Sequence, residues 1–216
     1  MANSARLIAL PSAVEPAFPQ LQLSTLKPLF KNGLARGKLL EISGSRSSGR
    51  TSVFFHIVAE ATRRGEVCAV VDAGDCFHAA SAAAAGIDLQ HLLWIRCRRN
   101  IDHAFRAADL LLHAGGFGVV LLDLCETPAR VLNRIPLSYW YRFRRAVEHT
   151  PGILMICAES SQAKSCSSIQ LQAESKAFLW SGQSPFSLLR GLDSQLVVRE
   201  KGTQPRRGCF SIRGAS

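Results

Sequence analysis

The sequence predicts an α/β fold, in which a parallel-sheet core with helices on both faces ends in a short C-terminal β-hairpin. Apolar runs of strand length alternate with helical segments between residues 38 and 160, an order typical of parallel sheets. These runs are continuously apolar, as strands covered on both faces usually are. Near the C-terminus, two further strand-like runs flank the turn segment KGTQP (201–205), which predicts the hairpin.

Each element follows from its own segment. Five apolar segments are predicted strands: KLLEIS (38–43), EVCAVVDA (66–73), HLLWIRC (91–97), FGVVLLDLC (117–125) and ILMICAES (153–160). The segments between them are predicted helices, over residues 50–65, 77–86, 100–116 and 138–152. In the first helix, Val53 and Ile57 recur at helical spacing and Gly65 ends the helix. AFLWSG (177–182) is a further short strand.

The composition divides the chain into three regions. Residues 1–32 form an extended, proline-rich lead-in, residues 33–163 the core, and residues 164–216 the C-terminal strands with a basic hairpin. Within the lead-in, the apolar segment LSTLKPLF (23–30) is expected either to fold back on the core or to dock onto a partner.

Charge and cysteine usage narrow the functional classes. The chain of 216 residues has 26 Lys and Arg against 16 Asp and Glu, a formal net charge of +10, which favours acidic partners with nucleic acid first among them. Seven cysteines are scattered without a C-x-x-C pair, so we expect buried thiols in a reducing compartment and no metal site. No apolar stretch reaches the roughly 18 residues of a membrane span, and the first twenty residues make a poor signal peptide. A cytoplasmic location is expected.

The segment EISGSRSSGRTS (41–52) fits the phosphate-loop pattern G-x-x-x-x-G-K-[ST] at every position but one, because Arg50 stands where the pattern has Lys. Arg50 keeps the charge, but its planar fork does not replace a compact ammonium. Asp123 ends a neighbouring strand, where a magnesium-site Asp would stand. The predicted nucleotide-binding residues are Gly44, Ser45, Arg46, Ser47, Ser48, Gly49, Arg50, Thr51 and Asp123. The alternatives are a Ser/Gly-rich turn without function and an Asp that only caps a strand.

Several motifs in order carry a family resemblance. The run from LARGKLLEISG, through VVDA followed by a helix, GID and LLW, to GFGVVLLDL resembles the core of RecA-type recombinases. The resemblance covers about residues 33–160, and it implies a RecA-like P-loop fold. Its order and spacing are more specific than any single motif.

Departures from the RecA pattern fall on the ATPase machinery. The family has a catalytic Glu directly after VDA, where this chain has Gly74, and the side chain of the adjacent Asp75 would point elsewhere. Arg50 replaces the Lys of the family's loop, and Glu159 lies near the position at which the family has a Gln that senses the γ-phosphate. Hydrolysis needs a positioned water and charge stabilisation together. The resemblance therefore implies little or no hydrolysis and no catalytic residue. The resemblance implies no certain cofactor. The alternative is ATP with magnesium, bound without turnover.

A shortened, degenerate RecA-like chain with a basic C-terminal hairpin resembles the ImuA family, although REKGTQPRRG (199–208) departs in detail from the family's closing turn. That resemblance implies a non-catalytic adaptor in DNA repair, SOS-type damage-induced mutagenesis and translesion synthesis. The implied partners are an ImuB-like Y-family polymerase relative, an error-prone replicative-type polymerase, or RecA, with DNA as a further one. A DNA-stimulated ATPase of recombinase type and a nucleotide-sensing regulator, such as a cell-division inhibitor, remain the alternatives.

The C-terminal hairpin is strongly basic. Five cations within fifteen residues fit a DNA backbone or an acidic partner surface, whereas charge that only protects a sheet edge is the alternative. The predicted contact residues are Arg199, Lys201, Arg206, Arg207 and Arg213.

Overall fold

A computed structural model describes residues 18–183 and 185–213, and the named strands of these residues join in one eight-stranded sheet. The strands are β1 Lys38–Ser43, β2 Cys68–Asp72, β3 Leu92–Arg96, β4 Val119–Asp123, β5 Ile153–Ala158, β6 Ile169–Ser181, β7 Leu188–Glu200 and β8 Arg206–Arg213. Their order is β3-β2-β4-β5-β1-β6-β7-β8. In this spatial order, all neighbouring strands between β3 and β6 pair in parallel. β7 pairs antiparallel with β6, and β8 pairs antiparallel with β7. The predicted α/β fold with a C-terminal hairpin is confirmed.

Helices cover both faces of the sheet. They are α1 Arg50–Thr62, α2 Ala79–Ala84, α3 Ile101–Ala114, α4 Ala129–Leu132 and α5 Leu137–Val147. α1 and α2 bury their apolar side chains in one core, and α3, α4 and α5 bury theirs in a second core on the opposite face. The sequence did not predict α4, a single turn after β4. Among the described residues, no helix is long and apolar enough to cross a membrane.

The C-terminal strands extend the sheet beyond β1. β6 pairs in parallel with β1, with Leu40 opposite Ile169 and Ile42 opposite Leu171. β6 and β7 have 13 residues each, longer than the short strands expected. β6 begins inside a segment whose composition is polar. The segment still forms a strand of the sheet, because Ile169, Leu171 and Ala173 are buried while the glutamines between them lie on the other face.

Residues 18–34 fold back on the core. The apolar side chains at positions 23, 26, 29 and 30 are each at most 3% exposed and belong to the α1-side core. Leu29 packs so closely on β8 that a Cβ at Gly208 would stand 3.1 Å from its Cδ2. Of the two fates expected for LSTLKPLF, the structure shows back-packing. Residues 1–17 of the predicted lead-in lie outside the described residues.

The segment that follows β5 is anchored by a buried carboxylate on β1. Glu41 is 1% exposed. It accepts hydrogen bonds from Ser161 Oγ at 2.7 Å, from Ala163 N at 2.8 Å and from Gln162 N. These three hydrogen bonds hold the segment after β5 against the end of β1.

Candidate phosphate-loop site

The loop between β1 and α1 has the backbone shape that its glycines allow. Gly49 is the N-cap of α1 and adopts a left-handed conformation with φ 89°, which L side chains rarely adopt. Gly44 lies against its surroundings, because a Cβ there would collide with Ser48 Oγ and stand 2.6 Å from Ala173 O. The predicted loop residues Ser45, Arg46, Ser47 and Thr51 are exposed. The loop therefore presents backbone and hydroxyl groups at the N-terminus of a 13-residue helix, an arrangement that suits anions.

Residues of the C-terminal strands β7 and β8 pack against this loop. Ser194 Oγ on β7 donates a hydrogen bond to Ser48 O at 2.6 Å. A Cβ at Gly49 would stand 3.0 Å from Ile212 Cδ1 and 3.4 Å from Leu192 Cδ2. The sequence did not predict this contact, because it joins residues about 146 positions apart.

Arg50, the residue that replaces the loop Lys, turns inward. It is 6% exposed. Its Nη1 donates to Gly44 O, and its Nε donates to Cys125 Sγ at 3.2 Å. Since two edges of the guanidinium are already bonded to the protein, Arg50 cannot serve a phosphate as the family Lys does without giving up these contacts.

Two aspartates stand side by side at the ends of β2 and β4, where Asp72 and Asp123 are paired in register. Burial raises the pKa of Asp123, although hydrogen bonds from Cys125 act in the opposite direction. Asp72 is fully buried and holds the turn after β2, since it accepts from Cys76 N at 3.0 Å and Phe77 N at 2.9 Å. Asp72 is thus a structural acceptor, whereas Asp123 is close enough to the loop's Arg50 for that charge to act on its pKa.

The position that RecA-type proteins fill with a catalytic Glu is crowded, so a side chain there would require its neighbours to move. A Cβ at Gly74 would stand 2.9 Å from Cβ of Glu126. Glu126 belongs to the turn after β4, and its Oε2 lies 2.5 Å from Nη2 of the loop residue Arg46. Asp75 instead forms a two-point ion pair with Arg96, at 2.7 and 2.8 Å. Sequence reasoning missed Glu126, which no spacing rule connects to Gly74.

The site does not fit magnesium. Mg²⁺ requires near-octahedral oxygen ligands, yet Asp123 shares its surroundings with the sulfurs of Cys125 and Cys157 and with the guanidinium of Arg50. The Cys125 and Cys157 sulfurs are 3.3 Å apart. The hydrogen bond between the two thiols and the burial of the site raise the pKa of Cys157 well above its ordinary value. The side chains around Asp123 therefore do not fit the metal that accompanies ATP, and phosphate binding by the loop stays a prediction.

The five cations of the C-terminal hairpin do not form one patch. Arg199, Arg207 and Arg213 lie on the face opposite the buried Val198 and Phe210, as strand alternation requires. Arg206 is on the other face, where it pairs with Glu200 at 2.8 Å and lies over the ring of Phe30. Lys201 is in the turn and donates to Ser165 O at 2.6 Å, and Arg213 pairs with Asp193 at 2.8 Å.

A parallel sheet, a glycine-bearing loop after β1 and a helix that starts at the loop define the P-loop class of α/β proteins. Comparison with known proteins is more specific. The chain matches the RecA N-terminal domain over residues 20–130, and it belongs to that family. Membership relates the chain to proteins of DNA recombination and repair.

Curated relatives match over a shorter segment. Protein RecA of Mesorhizobium japonicum is 38% identical over 91 residues, which is 42% of this chain and 25% of the relative. Protein RecA of Acidiphilium cryptum is 40% identical over 91 residues, 42% of this chain and 26% of the relative. The chain therefore spans about a quarter of the length of these relatives.

A solved structure shares the fold over most of both chains. The crystal structure of the RadB recombinase superposes with a TM-score of 0.64 and covers 90% of this chain and 96% of its own. Identity is 14%, so this likeness shows the fold alone.

Proposed function

We propose that this protein is a non-catalytic, RecA-like adaptor of the ImuA type, which acts in DNA repair and damage-induced translesion synthesis. The observation that carries the proposal is the turn after β2, which has Gly74 at the family position and Glu126 so close that a Cβ there would stand 2.9 Å from its Cβ. Because Gly74 has no carboxylate and the neighbouring Asp75 is paired with Arg96, no group at the family position activates the water that attacks the γ-phosphate.

The state of Arg50 supports the same proposal. Its guanidinium is buried and bonded to Gly44 O and Cys125 Sγ, so it does not supply the charge that stabilises phosphoryl transfer. Hydrolysis requires an activated water and a charge that stabilises the transferred phosphoryl group. Gly74 removes the base that activates the water, and the internal hydrogen bonds of Arg50 engage the charge.

The partner-binding surface of the proposed adaptor is the end of the β6–β7 hairpin. Five large apolar side chains of the two strand ends and the turn between them have exposed fractions between 44% and 85%, and we name them the apolar tip: Phe178, Trp180, Phe186, Leu188 and Leu189. A concentration of exposed apolar side chains in one part of a fold is typical of protein interfaces. We assign the tip to the Y-family polymerase relative, with an error-prone replicative-type polymerase and RecA as the other partners of the complex.

One observation favours a second function, a DNA-stimulated ATPase of recombinase type. The carboxylate of Glu126 lies beside Gly74 and contacts the loop residue Arg46, so it could take the place of the missing base. In that case Glu126 would activate the water from a different turn of the fold.

Phosphate release distinguishes the two functions. Purified protein is assayed with ATP, magnesium and single-stranded DNA beside the Asp123→Ala and Glu126→Gln variants. The adaptor function predicts the same background rate in all three proteins. Turnover by the wild type that either substitution abolishes would establish the ATPase and end the adaptor proposal.

The apolar tip has its own test with the purified Y-family polymerase relative. Trp180→Ala combined with Phe186→Ala is expected to weaken the complex at least about tenfold, since buried aromatic residues dominate interface energies. Leu110→Ala is the matched control, because Leu110 is 66% exposed on α3, far along the chain from the hairpin. Equal affinities for the double variant and the control would remove the tip from the interface.

A further inference from the structure

We propose that Asp123, Cys125 and Cys157 form a binding site for a thiophilic divalent cation, of which zinc is the expected ion. Their three ligand atoms lie within 4.8 Å of one another. Two thiols and one carboxylate are a donor set that zinc accepts, usually with a water in the fourth position. This proposal is independent of the adaptor function, because it requires neither ATP nor a partner.

The fold brings these donors together from two neighbouring parallel strands. Asp123 on β4 is opposite Cys157 on β5. Leu124 N donates to Cys157 O at 2.8 Å, and the turn after β4 is folded back because Cys125 N donates to Asp123 Oδ1 at 3.0 Å. The backbone therefore fixes all three ligand positions. The sequence does not predict this cysteine pair, because the two cysteines are 32 positions apart.

The spacing of the sulfurs suits a small tetrahedral ion. Cys125 and Cys157 Sγ atoms are 3.3 Å apart, whereas two thiolates bound to zinc at about 2.3 Å each would stand about 3.8 Å apart. A side-chain adjustment of about 0.5 Å would bring the two sulfurs to the separation that zinc requires. Each thiol releases its proton to solvent as the metal binds.

Arg50 completes the charge balance of the site. A zinc ion with two thiolates and one carboxylate has a net charge of −1, which the adjacent guanidinium neutralises. Its Nε already donates to Cys125 Sγ at 3.2 Å, the kind of hydrogen bond that steadies a metal-bound ligand. Because Arg50 and Asp123 are 6% and 7% exposed and Cys157 is fully buried, neutrality matters for the stability of the complex. The proposal therefore also gives the Arg at this loop position a role of its own.

Cobalt(II) is the probe for the test, because tetrahedral thiolate coordination gives it strong visible and near-ultraviolet absorption. Reduced, chelator-treated protein is titrated with cobalt and then with zinc. We expect one cobalt per chain with thiolate-to-metal charge transfer, and zinc is expected to displace it. Cys125→Ser and Cys157→Ser are expected to lose binding, and Arg50→Gln to weaken it about 10- to 100-fold.

A matched control and a second readout keep the outcome clear. Cys209→Ser removes an exposed cysteine on β8 and should leave the titration unchanged. Cys125 is only half-buried, so its variant is expected to fold, which circular dichroism checks. Charge-transfer bands that survive in both the Cys125→Ser and Cys157→Ser proteins would overturn the proposal. So would a reduced wild-type protein that shows no bound zinc by native mass spectrometry at micromolar concentration.

Discussion

Substitution of Glu41 tests how the segment after β5 is held. The buried carboxylate accepts three hydrogen bonds, from Ser161 Oγ and from the backbone of Gln162 and Ala163. Removing an acceptor leaves a buried donor unpaired, at a cost of about 1–3 kcal/mol for each group. Glu41→Ala leaves two buried backbone N–H groups without an acceptor, so we expect a loss of about 3–5 kcal/mol in the free energy of unfolding.

Glu41→Gln is a milder version of the same change. Its amide oxygen can still face the two backbone donors, and its NH₂ group can donate to the Ser161 hydroxyl, so only the charge is lost. Because bonds to charged acceptors are stronger by about 1 kcal/mol each, we expect a loss of about 2 kcal/mol. Urea unfolding measures both values, and hydrogen exchange at Gln162 and Ala163 shows whether the change is local. The control is Glu174→Gln, an exposed carboxylate on β6. If Glu41→Ala is as stable as this control, the anchoring role of Glu41 is wrong.

Three further predictions concern packing, acid stability and DNA. Gly74→Ala should cost about 1–3 kcal/mol by overpacking against Glu126, and adding Glu126→Gly should restore most of it in thermal unfolding; an unchanged Gly74→Ala protein would contradict the close contact. Burial alone would raise the pKa of Glu60, but the hydrogen bonds it accepts and a nearby Arg hold the pKa below its ordinary value. Its stabilisation is therefore present at neutral pH and lost as pH falls through the folded pKa, so Glu60→Gln should flatten the acid limb of the stability–pH curve; an equally steep limb would contradict this. Arg199→Glu with Arg207→Glu should lower DNA affinity and its salt dependence, whereas salt-independent binding would contradict phosphate contact.

The sheet and the phosphate loop could be predicted because their signals are local. Apolar runs such as ILMICA mark strands covered on both faces, and Gly44 and Gly49 mark the loop within a few residues of each other. The helical spacing of Val53 and Ile57 is likewise contained in one segment. Local patterns therefore predicted strands β1 to β5, but the expectation of cover on both faces is wrong for β3, which is a largely exposed edge strand.

The features that decide the chemistry of the site could not be predicted, because each joins distant segments. The contact of Glu126 with Gly74 depends on how two turns meet at the edge of the sheet. The inward turn of Arg50 depends on Cys125, 75 positions away. Strand alternation likewise separates Arg206 from Arg207, although both are basic neighbours in the sequence. Residue type suggested a nucleotide site, whereas the tertiary contacts show which groups are already engaged.

Light scattering with an ATP analogue and single-stranded DNA tests the adaptor function most directly, because a recombinase assembles on DNA and an adaptor does not. The described N-terminal segment is packed on its own core, and the loop cation is engaged internally, so neither is free to join one protomer to the next. We predict a monomer or small oligomer whose mass increases only when the purified Y-family polymerase relative is added. Large assemblies that form without that partner, seen as regular helical filaments by electron microscopy, would contradict the proposed function.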